Sequence, residues 1–417
     1  MKRIFLLLLS AATVVSSFAQ NADVKDNFTV IKNNPATPVK SQARTGTCWS
    51  FSTTSLVESQ ALKNNLGEFD LSEMFTVRNI YIEKAKNYIL RQGHTQFDEG
   101  GLGHDQIRAI ATYGAVPESV YSGLKPGQTA HNHQALVSAL KGYLDSLLKH
   151  RPIPGNWLAG FTDILDNTLG APPKNFEFRG KNYTPQTFAK DVLHFKADDY
   201  VAITSFTHHP FYEPFILEVP DNFSNGAYYN IPLEEMIQVT KDALTNGYTV
   251  LWDADVSNND FMQGRGLAAL YDSSVNSMRK MNMRTLRASQ QKREAAAGNN
   301  TDNVVAARNE TPGNSKNAAS KDDYVAGLNE EVEWDAEFRQ TLFENLTTQD
   351  DHLMHITGIE KTKNGKSFFI VKNSWGNVGP YKGYINVSES YFAINTISLI
   401  VPKAALSKAL LEKLKIN

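Results

Sequence analysis

A single cysteine, Cys48, stands in 417 residues. An internal disulfide is therefore excluded, which leaves a buried bystander, an intermolecular linker or a reactive thiol. The ten histidines show no H-E-x-x-H or comparable metal-ligand spacing, so no metal site is expected, even at the adjacent His208 and His209 ahead of Pro210. Charge of one sign is also missing. With 42 Lys+Arg against 44 Asp+Glu, nothing resembles a nucleic-acid footprint. Past the first residues no stretch approaches the ~20 apolar residues a spanning helix needs, and no internal repeat is visible.

The chain opens MKRIFLLLLSAATVVSSFAQ, with Lys2 and Arg3 ahead of an apolar run and a small-residue step ending at Ala19. This pattern is that of a secretory signal peptide over residues 1–19, cleaved after Ala19, and predicts a periplasmic or extracellular protein. Exported proteins usually carry cysteines in pairs, which makes the solitary Cys48 informative. The lead between Ala19 and Gln42 is too short for a folded inhibitory prosegment, so restraint of any active site is expected to come from elsewhere.

From Thr47 onward, CWSFSTTSLVESQALKNN has helical spacing and places Cys48 at a helix start. A second helix is expected from Ser72 to about Arg91, then a glycine-rich loop from Gly93 to Gly103, then a helix ending at Gly114. Residues 125–195 mix short helical runs with Pro and Gly. Strands are expected over 200–205 and 248–253, the latter preceded by a helix that Gly247 terminates. Residues 283–327 are too polar to bury much and read as a mobile surface insertion. A helix near 335–346 precedes three alternating apolar runs, HLMHITGIEK, SFFIVKNSWG and GYINVSESYF, spaced as hairpins. Residues 20–417 are taken as one domain.

A thiol attacks a carbonyl as thiolate, which a helix N-terminus or a nearby imidazolium favours. Gln42 lies six residues before Cys48, where its amide can return beside the thiol. With the Cys48 N–H it would supply the two donors that a tetrahedral oxyanion needs.

The run Q-x5-C-W-S-F, from Gln42 through Cys48, resembles the active-site segment of papain-like cysteine peptidases, and K-N-S-W-G, Lys372 to Gly376, resembles their asparagine segment with Asn373 at the matching place. His352 and His355 have opposite parity on a strand, so only one can face the cysteine. His352 follows Asp351 and has Gly358 six positions on, which is the pattern of that family. The resemblance thus implies an α+β papain-like fold, with a helical half carrying Cys48 and an antiparallel β half carrying His352 and Asn373. It also implies Gln42 in the oxyanion site and no cofactor. Trp375 either shields the Asn–His hydrogen bond or fills the core.

Papain-type sequences place the histidine roughly 130 to 150 residues after the cysteine, whereas positions 48 and 352 lie 304 apart. A large insertion without disulfides is similar to the bleomycin hydrolase and aminopeptidase C branch, as are FDLSEMF, FDEGGLGHDQIRAIATYGAVP and LTNGYTVLWDADV. In that branch Gly100 and Gly101 match the glycines of one substrate-cleft wall; otherwise they form an ordinary turn. The branch is typically cytosolic, hexameric and restricted to aminopeptidase action by a C-terminal arm in the cleft. This chain departs by its leader and by a shorter-looking tail, VPKAALSKALLEKLKIN. The expected function is therefore an exported cysteine peptidase on peptide or protein substrates, aminopeptidase or endopeptidase, as a possible homo-oligomer. A catalytically silent peptide-binding protein and a thioester-based transpeptidase stay open.

Overall fold

The computed structural model describes residues 28–270 and 336–416. The expected leader and the whole polar segment 283–327 lie outside these residues. The elements relevant here begin with β1 (Phe28–Asn33), α1 (Cys48–Lys63), α2 (Glu73–Leu90) and α3 (Gly103–Tyr113), followed by α4 (Gln134–Leu147), α5 (Trp157–Leu169), the hairpin β2 (Phe176–Phe178) and β3 (Lys181–Tyr183), and α6 (Pro185–Asp191). Next come β4 (Tyr200–Thr204), β5 (Pro214–Ile216), β6 (Ala227–Asn230), α7 (Leu233–Thr245), β7 (Val250–Ala254), β8 (Phe261–Met262) and β9 (Leu267–Ala268). After the undescribed stretch follow α8 (Ala336–Glu344), β10 (His352–Thr362), β11 (Ser367–Lys372), β12 (Tyr384–Ser388), α9 (Glu389–Asn395), β13 (Thr396–Pro402) and α10 (Lys408–Lys413).

Eleven strands form one sheet in the order β5-β6-β4-β13-β7-β10-β11-β12-β9-β8, with β1 added to β10. The pairings around the site are antiparallel, as expected. Two pairings toward the edges, β4 with β6 and β9 with β12, are parallel, so the sheet as a whole is mixed.

Strand alternation sorts the central side chains into two cores. Leu251, Leu353, Ile397 and Ile400 share one with Cys48 and the helical half, while Trp252, Met354, Leu399 and Val401 share the other with α7 and α9. The helix that carries Cys48 and the helix α7 therefore cover opposite faces of the sheet.

Local chemistry explains the elements that hold the site. In α2 the Ser72 side chain accepts from the Phe75 N–H, the N-cap that its sequence announced. Gly114 stops α3 at φ +83, where its missing Cβ would meet the Pro185 carbonyl. Helix α1 is buried nearly all round, with 13 of its 16 residues buried, although much of it is Ser and Thr. Burial is tolerable because all of those hydroxyls but Ser59 have partners: Ser50 Oγ donates to Glu73 O at 3.1 Å, and Ser52 Oγ to Leu353 O at 2.6 Å.

Candidate active site

Cys48 is the first residue of α1, next to the fully buried Trp49. Its N-cap, Thr47, makes no side-chain cap bond. First-turn N–H groups of α1 thus point their partial positive charge at the region of the thiol. The Leu353 backbone, on the strand residue that follows His352, favours the ionised thiol. Ser52 donates to the Leu353 carbonyl at 2.6 Å and so ties the first turns of α1 to the start of β10.

His352 Nε2 and Asn373 Oδ1 lie 2.7 Å apart. Because the Asn373 oxygen accepts, His352 carries its proton on Nε2 and leaves Nδ1 as an acceptor. The Asn373 amide is itself oriented, since Nδ2 donates to Gln263 Oε1 at 2.9 Å and Oδ1 also accepts from the Ser374 N–H at 2.7 Å. Trp375 is half-buried and tilts over the His352 ring, centroids 4.7 Å apart, so it covers the imidazole rather than filling the deep core.

Gln42 reaches the same place by a short backbone pairing. Its N–H donates to Ser374 O at 2.8 Å, and the Gly376 N–H donates to Lys40 O at 3.0 Å. The side chain is clamped, Ser374 Oγ donating to Oε1 at 2.6 Å while Nε2 donates to Thr45 O at 2.7 Å. One Nε2 hydrogen remains for another acceptor. Gln42, Cys48, His352 and Asn373 are thus gathered at the junction of the helical half and the sheet.

The electrostatics favour neutral partners. Burial pushes the Cys48 thiol far above its ordinary value; the Leu353 backbone opposes this, while Asp350, Asp221 and Asp253 add to it. Burial also lowers His352, against the Asn373 bond and Asp351, which favour the charged ring. Burial thus biases thiol and imidazole, each taken singly, toward the uncharged form.

Gly101 stands over Trp49, where an added Cβ would come within 3.1 Å of the indole, and Trp49 Nε1 donates to Glu99 O at 3.0 Å. The glycine wall is therefore stacked directly on the residue after Cys48. Gly100 is not open, however. A Cβ there would fall 2.0 Å from Asp221 Oδ2, so that carboxylate covers it.

His355 lies elsewhere. It is buried with Nδ1 2.9 Å from Ser55 Oγ of α1, and Lys372 Nζ donates to the same hydroxyl at 2.7 Å. Gln263, Ser374, Thr45 and Asp221 were missed from the sequence. Only the proximity of Ser374 to Asn373, and of Thr45 to Gln42, could have signalled two of them.

Among the described residues, His208, His209 and Glu218 bring potential ligand atoms within 4.8 Å of one another. The Gln340 amide, whose oxygen accepts from the Thr207 N–H at 2.6 Å, donates to His208 Nδ1 at 2.9 Å. The His208 proton is thereby placed on Nε2, facing Glu218, and the group reads as a hydrogen-bonded clasp. The tail residues Leu406, Leu410 and Leu414 pack into the core of the α7 face, and Lys413 and Lys415 pair with Glu235 and Glu213. The described tail thus lies across the sheet from α1.

A helical half that begins with the cysteine, packed on a sheet that carries the hydrogen-bonded His352 and Asn373, has the papain-like form, and the class is that of papain-like cysteine peptidases. The chain belongs to the Peptidase C1-like family, which it matches over residues 91–310 and 329–417, with a papain family cysteine protease match over residues 19–78. Within it, the chain falls in the bleomycin hydrolase and aminopeptidase C branch. It is 24% identical to Aminopeptidase G of Lactobacillus delbrueckii subsp. lactis, over 90% of this chain and 83% of that protein. Against Aminopeptidase C of Listeria innocua identity is 22%, over 90% and 82%. The crystal structure of PepW from Lactobacillus rhamnosis HN001 superposes with TM-score 0.66 at 19% identity, covering 93% of this chain and 84% of that one, which shows the shared fold.

Proposed function

We propose that this chain is an exported cysteine aminopeptidase acting through Cys48, His352, Asn373 and Gln42. The observation that carries the reading is the 2.7 Å His352–Asn373 bond at the start of β10, where the Leu353 carbonyl is held at 2.6 Å by Ser52 of the helix that Cys48 begins. In this mechanism His352 Nδ1 takes the thiol proton as Cys48 attacks the peptide carbonyl, and Asn373 keeps the ring in the required tautomer. The oxyanion receives the free Nε2 hydrogen of Gln42 and the Cys48 N–H. The imidazolium then protonates the leaving amine, and water cleaves the thioester with His352 as base. Aminopeptidase rather than endopeptidase action is supported by the names of relatives matched over most of their length, Aminopeptidase G and Aminopeptidase C. Export rests on the leader ending at Ala19.

The test is labelling by a thiol-directed epoxide, located by mass spectrometry, with hydrolysis of amino-free and amino-blocked peptides alongside. Modification at Cys48, loss of both labelling and hydrolysis in Cys48→Ala, and preference for amino-free peptides are expected. Full activity in Cys48→Ala would sink the reading. A mature N-terminus at Gln20 in extracytoplasmic material checks export.

A further inference from the structure

Glu99 touches the chain on both sides of the nucleophile. Its carboxylate Oε2 accepts from the Gly46 N–H at 2.6 Å, two residues before Cys48, and its carbonyl accepts from Trp49 Nε1 at 3.0 Å, one residue after. The meeting with Gly46 is also steric, because a Cβ added there would come within 3.0 Å of the Glu99 Cβ. Glu99 itself is fixed by a frame that does not involve Cys48. Asp98 Oδ1 accepts from the Glu99 N–H at 2.8 Å. Lys84 of α2, 2% exposed, donates through Nζ to the carbonyl of Asp98 at 2.8 Å and to that of Gly100, the residues on either side of Glu99. With its backbone bonded to a helix and to a fully buried tryptophan, Glu99 extends its carboxylate from a rigid base.

What the carboxylate reaches is the loop between the two oxyanion donors, Gln42 and the Cys48 N–H. The Gln42 end is clamped through Thr45, whose carbonyl accepts from Gln42 Nε2 at 2.7 Å. The middle is paired to the inserted helical region, the Arg44 N–H donating to His131 O at 3.1 Å and the His133 N–H to Arg44 O at 3.2 Å. Gly46 has no side chain to pack, and its N–H is held by Glu99. A displacement of Gly46 is passed directly to Cys48, two bonds of chain further on, and a misplaced nucleophile or oxyanion donor costs rate rather than affinity.

We infer that Glu99 is a positioning residue for the nucleophile: its ionised carboxylate holds Gly46, and through it the Cys48 thiol and N–H, against the glycine wall, and it loosens that hold on taking up a proton. This assignment rests on the proposed peptidase reading and names how acid regulates the same site. An ionised oxygen accepts a stronger hydrogen bond than a carboxyl or amide oxygen does. Burial raises the Glu99 carboxyl from 4.5 to about 6, the Gly46 N–H opposing this, Asp98 adding to it and Lys84 opposing it. Tyr81, also on α2, feels the same charge. Asp98, Lys84 and Tyr81 are thus the titratable groups facing Glu99 from its own loop and from α2, while the Gly46 N–H and the Trp49 indole face it from the nucleophile side. The clamp is complete above about pH 6 and weakens as pH falls through that value.

The experiment follows hydrolysis of a fluorogenic amino-acid amide between about pH 5 and pH 8 by wild type, Glu99→Gln and Glu99→Asp. Each protein is titrated with the thiol-directed epoxide, so that misfolded molecules are discounted. Glu99→Gln keeps the length of the side chain and an acceptor oxygen but cannot ionise; Glu99→Asp keeps the charge and shortens the reach. The ratio of wild-type to variant kcat at each pH cancels the titrations that the substitution leaves alone, including that of the substrate amine. For Glu99→Gln, kcat is expected to lie about 3- to 10-fold below wild type at pH 8, the scale of a charge-assisted against a neutral hydrogen bond, with KM little moved. The ratio should close toward one at pH 5. Glu99→Asp should be at least as slow at pH 8, because charge without reach does not hold Gly46. A ratio that stays constant with pH would make Glu99 a structural prop, a faster Glu99→Gln at pH 8 would make it only an opposing charge, and a wild-type rate in Glu99→Asp would make its reach irrelevant. Each of these overturns the assignment and leaves the peptidase reading standing. If wild type neither takes up the epoxide at Cys48 nor hydrolyses the amide, the peptidase reading falls and the assignment with it.

Discussion

Two histidines three positions apart on β10 meet very different surroundings. His355 points at the middle of α1, where Ser55 and Lys372 enclose it, and Lys372 also donates to Thr37 Oγ1 at 3.1 Å. Burial and the nearby Lys372 charge hold its ring neutral. His352 sits at the first position of the strand, level with the N-terminal turn of α1, and meets an oriented amide and a half-buried tryptophan instead. Both are buried imidazoles with one named partner. What separates them is place: His355 lies against the middle of α1 with Nδ1 on Ser55 and Nε2 buried without a partner, whereas His352 stands at the start of β10 with its ring fixed by the Asn373 amide and covered by Trp375. Residue type and burial do not distinguish the two; position on the strand and the partner that fixes the ring do.

Exchanging the roles of these two residues is the strongest way to break the comparison. His352→Ala is expected to lower kcat/KM by about 10³-fold or more, the scale of lost general acid–base catalysis, with little change in melting temperature. His355→Ala should do the opposite, costing about 1–3 kcal/mol of stability through the lost Ser55 hydrogen bond and the space the buried ring leaves while kcat/KM per folded molecule stays within a few-fold. Steady-state kinetics paired with thermal melts read both. Large catalytic loss in His355→Ala and none in His352→Ala would reverse the assignment.

A smaller effect sharpens it. Asn373→Ala removes the acceptor that fixes the His352 tautomer and should cost about 10- to 100-fold in kcat, with KM little moved, as expected for a misplaced catalytic group. Gln263→Ala, one contact further out, should cost less than Asn373→Ala in the same assay. Equal losses would mean that Gln263 acts on more than the Asn373 amide.

Much of this was legible in the sequence because it is local or patterned. The α1 start at Cys48, the Ser72 cap, the Gly114 stop and the β10–β12 hairpins follow from spacing and turn residues, and the K-N-S-W-G run put Asn373 at the end of β11. Parity separated His352 from His355 correctly but could not choose between them. By side-chain face alone His355 lies nearer the axis of α1, and only the resemblance selected His352. Strand β1 was illegible because it is an exposed edge, its residues half-buried or exposed and held to β10 by backbone pairing. β13 was missed because its insertion between β4 and β7 depends on contacts about 150 residues or more away. Gln263 and Asp221 belong to no motif. They matter through where the sheet and the β5–β6 loop carry them, which no local pattern records.

A third buried group on β10 gives the mildest and cleanest contrast. Glu360 lies opposite Val30 of β1 and Phe368 of β11, 4% exposed, with Oε1 lacking any hydrogen-bond partner. Burial alone raises its carboxyl from 4.5 to about 7. Because the folded value lies above the unfolded one, the protonated form stabilises the fold below about pH 4.5, and that contribution is lost as pH rises through about 7. Glu360→Gln keeps the shape and removes the titration. Near pH 5 the variant should melt close to wild type; at pH 8 it should be more stable, by about 1–3 kcal/mol for a shift of this size after allowance for relaxation around the charge. Thermal melts at the two pH values, each as a difference between variant and wild type, cancel every other titrating group that the substitution leaves alone. A difference that is the same at both values would mean that Glu360 is already ionised and solvated beneath β1, and that the outer end of β10 is more open than its inner end, where the two histidines are sealed.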